Sequence, residues 1–266
     1  QLCFSLIAGA DPQQPDIPPV PLDTPKVERQ NFASLQNLRI ACTDELSTFP
    51  VAREIKSALV SVAKKLVDVG MQIEQWVPNF DFVAACQIYF AVATYNMIYS
   101  QQIRFDDVRK QMPFLFREAT QGDRTLRKGI NTAKTGLSIW LNPSLKGYFE
   151  ALTERDRLIV QMDKEMEQWD VWLCPVAITP AFTHRAKGEA VEVDDRKIPY
   201  LLASGAYTIP FNFTGHPVVV IPIGQTKDKL PIGMQIVGKR WKEMELLAIA
   251  EQLTEIVGNY QRPPGY

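Results

Sequence analysis

The sequence predicts an α/β protein, a mixed β-sheet core flanked by helices. Three observations carry this. A β-α-β pattern spans Leu38 to Val77, short apolar strands alternate with long helical stretches through the middle of the chain, and two apolar strands lie close together near its end. Strands interleaved with helices pack as layers. A crossover gives parallel strands and a hairpin antiparallel ones, so the sheet has both kinds of pair.

Taken in order, residues 1–10 (QLCFSLIAGA) read as the end of an amphipathic helix, with Gly9 at its C-cap and Pro12 just beyond. They lack the basic stretch and the length of a secretion signal. A helix that starts without a cap predicts that the chain begins inside a domain. Residues 11–30 hold six prolines and read as an extended connector. Leu38–Cys42 is a short apolar strand. Apolar residues at Val51, Ile55, Leu59, Val62, Leu66 and Val69 follow a helical period that Gly70 closes. Gln72–Val77 alternates like a half-buried strand, parallel to the first.

Phe82–Gln101 reads as a buried helix. Asp106–Trp140 reads as a solvated helical face, its Arg and Lys residues facing water. Pro143–Trp169 reads as a long helix with Pro143 in its first turn. Val171–Cys174 is a strand stopped by Pro175. Thr179–Phe182 is a loop, and residues 184–198 read as polar and exposed. Tyr200–Ala206 is a short helix. Pro217–Ile223 and Ile232–Val237 form the closing hairpin, and Met244–Val257 is an amphipathic helix ended by Gly258.

Composition excludes several classes. The net charge is −1, so no cationic surface awaits nucleic acid or anionic lipid. No apolar run has the length of a membrane span. The four cysteines form no C-x-x-C pair and read as reduced thiols of a cytoplasmic protein. His184 and His216 lie outside any metal-ligand spacing, so neither a metal nor an organic cofactor is expected. Cys174 with His184 or His216 is the one nucleophile–base pair on offer, and a buried, inert thiol is the better reading. Tyr89, Phe90, Tyr95, Tyr99 and Trp140 could line an apolar pocket but read as core.

The last third carries the most specific pattern. Asn212-Phe213-Thr214-Gly215-His216-Pro217 forms a turn into an apolar strand ending Pro222-Ile223-Gly224, and Leu230-Pro231-Ile232-Gly233-Met234-Gln235 opens a second strand. Upstream stand Cys174-Pro175 with Thr179-Pro180-Ala181, and Ala8-Gly9-Ala10-Asp11-Pro12 near the start. In this order, these motifs resemble the C-terminal part of the amidase-signature family. The resemblance implies an α/β/α sandwich, here incomplete, with residues 1–266 as the C-terminal part of a single domain. It implies carboxamide hydrolysis, and places Cys174, Thr179, Asn212, Gly215 and Gln235 near the substrate pocket. Gly233 inside a strand predicts close approach of another backbone or a ligand, and Gln235 on an apolar strand predicts a hydrogen-bond partner where it is buried.

The family's chemistry, as the resemblance implies it, uses a Ser nucleophile, a bridging Ser and a neutral Lys, with an oxyanion held by a loop reading roughly G-G-S-S-G-G. This sequence contains no Gly-Gly and no Ser-Ser pair. No catalytic residue can be named in it. Three readings stand: a fragment inactive alone, one half of a split amidase completed in cis or trans by an N-terminal half, and a non-catalytic module binding a ligand or partner. Pairing with a second copy stays open, as does the choice between a general amidase, which the simple tail favours, and a tRNA-linked amidotransferase subunit.

Overall fold

A computed structural model describes residues 35–46, 49–100, 144–184, 186 and 189–258. The expected N-terminal helix end, the 11–30 connector, the 106–140 segment with Trp140, the side chain of Tyr99 and the C-terminal tail lie outside the described residues.

The β-α-β unit forms as its spacing predicts. Strand β1 is Arg39–Cys42, helix α1 is Arg53–Asp68 and strand β2 is Gln72–Gln75, with β1 and β2 parallel. Helix α1 buries Ile55, Leu59, Val62 and Leu66. Gly70, at φ 89°, ends it: its N–H reaches the Val67 carbonyl, and the Met71 N–H reaches that of Leu66. These paired bonds satisfy two carbonyls that the helix end would orphan. Helix α2 is Phe82–Ser100 and helix α3 is Leu145–Met166. Asp81 caps α2 by accepting from the Ala84 N–H at 2.9 Å. Ser144 caps α3, accepting from the Gly147 N–H at 3.1 Å. A hydroxyl acceptor sets that start; Pro143, expected in the first turn, lies outside the described residues.

Strand β3, Val171–Pro175, is buried along its length and takes in Pro175 as its last residue. It lies between β1, parallel to it, and strand β7, Pro231–Val237, antiparallel to it. Strand β6, Val218–Gln225, pairs antiparallel with β7, giving the order β2-β1-β3-β7-β6. The expected mixed sheet is therefore present. The hairpin turn is residues 226–230, shorter than expected because β6 runs on to Gln225 past an irregularity between Pro222 and Gly224. Helix α6, Glu243–Val257, closes the described chain and is ended by Gly258.

Two readings of the sequence need correction. Residues 184–198 are not uniformly polar and exposed: strands β4 (Val191–Val193) and β5 (Arg196–Ile198) pair antiparallel, with Val191, Val193 and Ile198 buried. Dense charge at the outward positions hides a period-2 pattern. The Asn212–Thr214 stretch is not a turn either. After the short helix α4, Tyr200–Gly205, it forms the end of helix α5, Ile209–Thr214. Pro210 stands in the first turn of α5, where its missing N–H costs nothing.

The layers follow from the register. Val218, Val237 and Trp172 form one row across β6, β7 and β3, and Val220, Gln235 and Cys174 form the next on the same face. Trp172 is fully buried there, its ring 6.2 Å from Phe82 of α2 and 5.3 Å from Phe211 of α5. Helices α2, α3 and α5 pack together over this face, while α1 and α6 pack against each other and the strands.

Candidate functional site

The end of β3, the loop after it, α5 and the middle of β7 carry every residue that the sequence marks for the pocket. Cys174 and Gln235 are register partners, both buried. The Gln235 amide N–H groups donate to the Pro175 carbonyl at 2.7 Å and the Tyr207 carbonyl at 2.9 Å, and Nε2 lies 3.6 Å from Cys174 Sγ. Two hydrogens on one nitrogen meet two carbonyls, so the buried amide donor is spent and the expected partner for Gln235 is found. Burial pushes the Cys174 thiol well above its ordinary range, and Cys42 nearby adds to the effect against the smaller pull of Gln235. A thiol so held is no nucleophile at neutral pH.

Tyr207 extends this network and was not singled out by the sequence. Its hydroxyl donates to the Phe49 carbonyl at 2.9 Å and accepts from the Leu46 N–H at 2.7 Å. Burial, above all, raises the phenol pKa far beyond its ordinary value. The hydroxyl therefore stays protonated and serves as a bridge. No sequence signal distinguishes this Tyr from the apolar residues around it. The loop after β3 is pinned at Ile178, whose carbonyl accepts from the Ala52 N–H at 2.8 Å. Thr179, next to it, is half-buried, and Phe182 packs edge-on against Tyr200 at 5.8 Å.

At the end of α5, Asn212 is exposed and Gly215 caps the helix at φ 76°, ψ 21°. A Cβ at Gly215 would meet only Arg240 Cδ, at 3.9 Å. Space is free, so the left-handed backbone is what calls for glycine. At Gly233 the close neighbours are side chains rather than the expected backbone or ligand: Val176 and Val220 carbons lie 3.2 Å from where its Cβ would stand. Among the described residues, no hydrogen bond joins Thr179, Asn212 or Gly215 to the Cys174–Gln235 pair.

His216 is buried beside this cap. Its Nδ1 lies 2.9 Å from Thr214 Oγ1, and that hydroxyl donates to the Pro210 carbonyl at 2.9 Å. One hydroxyl proton cannot serve both bonds, so His216 Nδ1 is the donor and Nε2 carries a bare lone pair. Nε2 has no hydrogen-bond partner and faces Asp163 Oδ1 at 3.4 Å, while Arg240 holds both oxygens of Asp163 at 2.9 Å. Burial lowers the His216 pKa to about 4; Asp163 opposes this and Arg240 adds to it. The imidazole is thus neutral at pH 7. It makes no bond to Cys174, and His184 is exposed, so the Cys–His pair does not assemble among the described residues.

No group of three His, Cys, Asp or Glu side chains that could hold a metal ion occurs among the described residues. No described helix is long and apolar enough to cross a membrane. What the arrangement offers is wall: a buried Gln235 amide with both hydrogens spent, a pinned loop and a capped helix, and, among the described residues, no activated nucleophile.

The family model described as Amidase matches residues 1–247. The chain belongs to the amidase family. A glutamyl-tRNA(Gln) amidotransferase subunit of Macrococcus caseolyticus is 27% identical to it over 280 residues, covering 97% of this chain and 53% of that protein. The same subunit of Geobacillus thermodenitrificans is 25% identical, covering 98% and 53%. Among solved structures, a 6-aminohexanoate cyclic dimer hydrolase aligns with a TM-score of 0.59 at 22% identity, over 86% of this chain and 47% of that one. This likeness is one of fold. The amidase chain spans about half the length of the curated relatives it matches.

Proposed function

We propose that the chain is the C-terminal part of a carboxamide hydrolase whose Ser nucleophile, bridging Ser and Lys are carried by an N-terminal half outside this sequence, joined in cis or supplied in trans. One combined observation carries this reading. An amidase match runs through residues 1–247, yet the sequence spans half of its relatives and lacks any Ser-Ser or Gly-Gly pair. In this reading the chain supplies no reacting atom. The Gln235 amide fixes the end of β3, and Cys174, Thr179, Asn212 and Gly215 contribute to the pocket wall against which an amide is held. The completed protein is a cytoplasmic hydrolase of small amides that needs no metal or organic cofactor.

The names of the curated relatives favour a second reading, an amidotransferase subunit whose activity depends on glutamyl-tRNA(Gln). A panel of aliphatic and aromatic amides separates the readings, offered to the purified chain alone, then with the separately expressed upstream segment, then with glutamyl-tRNA(Gln) added. Turnover on mixing alone supports the split amidase. Turnover that needs the tRNA supports the amidotransferase. Turnover by the lone chain overturns both, because some residue here would then be the nucleophile. Silence throughout leaves a non-catalytic binding module.

A further inference from the structure

Three segments border a cavity of about 330 Å³ at one end of the sheet. The end of α3 lines it with Asp163 and Glu167, the approach to β6 with His216, and the turn after β7 with Lys239, Arg240 and Trp241. Val237, the last residue of β7, pairs with Trp172 near the start of β3, so the cavity lies at the far end of β3 from Cys174 and Pro175. Its volume is that of a small-molecule site.

Two features of the lining lack a structural reason. The fully buried His216 leaves Nε2 without a donor, and a buried polar atom left bare costs free energy. The group it faces, Asp163 Oδ1 at 3.4 Å, is itself an acceptor. Trp241 is 61% exposed and holds φ at 66°, a backbone that a bulky side chain rarely adopts. Strain of this kind gathers where ligands are clamped.

Charge selects the ligand. Asp163 and Glu167 balance Lys239 and Arg240, so a lone anion would meet two carboxylates and a lone cation two bases. A molecule with one charge of each sign finds a partner for both. Arg240 now holds the two oxygens of Asp163, each at 2.9 Å. A ligand ammonium can take its place on Oδ1 and reach Nε2 as well, while the released guanidinium takes the ligand's carboxylate. Every ion keeps a partner in this exchange, and the bare Nε2 gains one.

We propose that this cavity binds a zwitterionic amino acid with an apolar side chain. Its ammonium sits between His216 Nε2 and Asp163, its carboxylate on Arg240 and Lys239, and its side chain against Trp241 and Met166. The site needs no residue from outside this chain, so it stands or falls separately from the hydrolase reading.

The full chain has only two histidines, so imidazole nitrogen NMR reads His216 directly, with the exposed His184 as reference. Titration with L-phenylalanine or L-leucine moves the Nε2 resonance upfield, as accepting a hydrogen bond does, and leaves His184 in place. Phenethylamine, which lacks the carboxylate, and hydrocinnamate, which lacks the ammonium, each bind at least about tenfold more weakly than phenylalanine. Trp241→Ala, at an exposed side chain, weakens binding about fivefold. Arg240→Gln erases the preference for the amino acid over the amine. A Nε2 resonance unmoved by about 10 mM of either amino acid overturns the proposal. Equal binding of the amine or the acid by the unaltered chain does the same, as does binding that Trp241→Ala leaves unchanged. A shift with zinc ions but with neither amino acid makes the cavity a metal site and overturns it too.

Discussion

At the residue scale, two buried polar side chains of this amidase chain, Gln235 and His216, each make a test. Gln235 answers two buried carbonyls. Gln235→Leu keeps the strand apolar but leaves the Pro175 and Tyr207 carbonyls unpaired, so the variant should lose about 1–3 kcal/mol per orphaned group, read as a lower urea midpoint. An unchanged midpoint would mean that water reaches those carbonyls. His216 sets a pH dependence. Its folded pKa, about 4, lies below its ordinary 6.5. Between these values the unfolded chain binds the proton and the folded chain does not. Stability is therefore fully present above pH 6.5 and is lost as pH falls toward 4, by about 2 kcal/mol between pH 7 and pH 5. Urea midpoints at the two pH values check this, with His216→Asn as the variant that should flatten the slope. Equal slopes would show that His216 titrates alike in both states. Gln235 was legible in the sequence because a lone amide on an apolar strand must find a partner. Tyr207, Asp163 and Arg240 were not, because their roles depend on atoms brought together by the fold from distant segments.

At the element scale, the periodic helices and the apolar strands were legible, whereas the charge-rich β4–β5 hairpin and the short helix α5 were not. Helices α1 and α6 kept their predicted bounds within a residue or two because their apolar stripes and closing glycines agree. The β4–β5 hairpin was missed because Glu192, Asp194, Asp195, Arg196 and Lys197 crowd into so few positions that only Val191, Val193 and Ile198 speak for the core. The hairpin also solves a problem at α1. Ala52, the residue before that helix, has no side chain to cap it. Asp194, in the hairpin turn at φ 51°, accepts from the Arg53 N–H at 3.1 Å across 141 positions of sequence. A carboxylate at a helix N-terminus both fills an orphan donor and complements the helix dipole. Asp194→Ala should therefore lower stability by about 1 kcal/mol, and Asp194→Asn, which keeps an acceptor and tolerates the left-handed backbone, by less. Thermal midpoints of the two variants decide it. If both fall equally, the charge matters and the cap does not; if neither falls, the Arg53 N–H is satisfied by water.

At the scale of the whole molecule, the sequence spoke most clearly about what it lacks. The motif order from Ala8 to Gln235 pointed to the amidase family, and the absence of paired serines and glycines pointed away from a self-sufficient active site. What it could not reveal was which side of the sheet is left open, because the apolar run of β6 looks the same whether its rim is paired or bare. Among the described residues the structure supplies that asymmetry: a polar edge at β2, an apolar one at β6 with Val220 half uncovered. An uncharged edge of that length is a template for further strands. The isolated chain should therefore self-associate, its mean mass rising with concentration in sedimentation. Because the contact is apolar and main-chain in character, raising the salt should not disperse it, whereas surface charge pairing would be screened over a Debye length. Val220→Lys should lower the association. A mass that stays monomeric at every concentration would mean that the β6 rim is already satisfied within the chain.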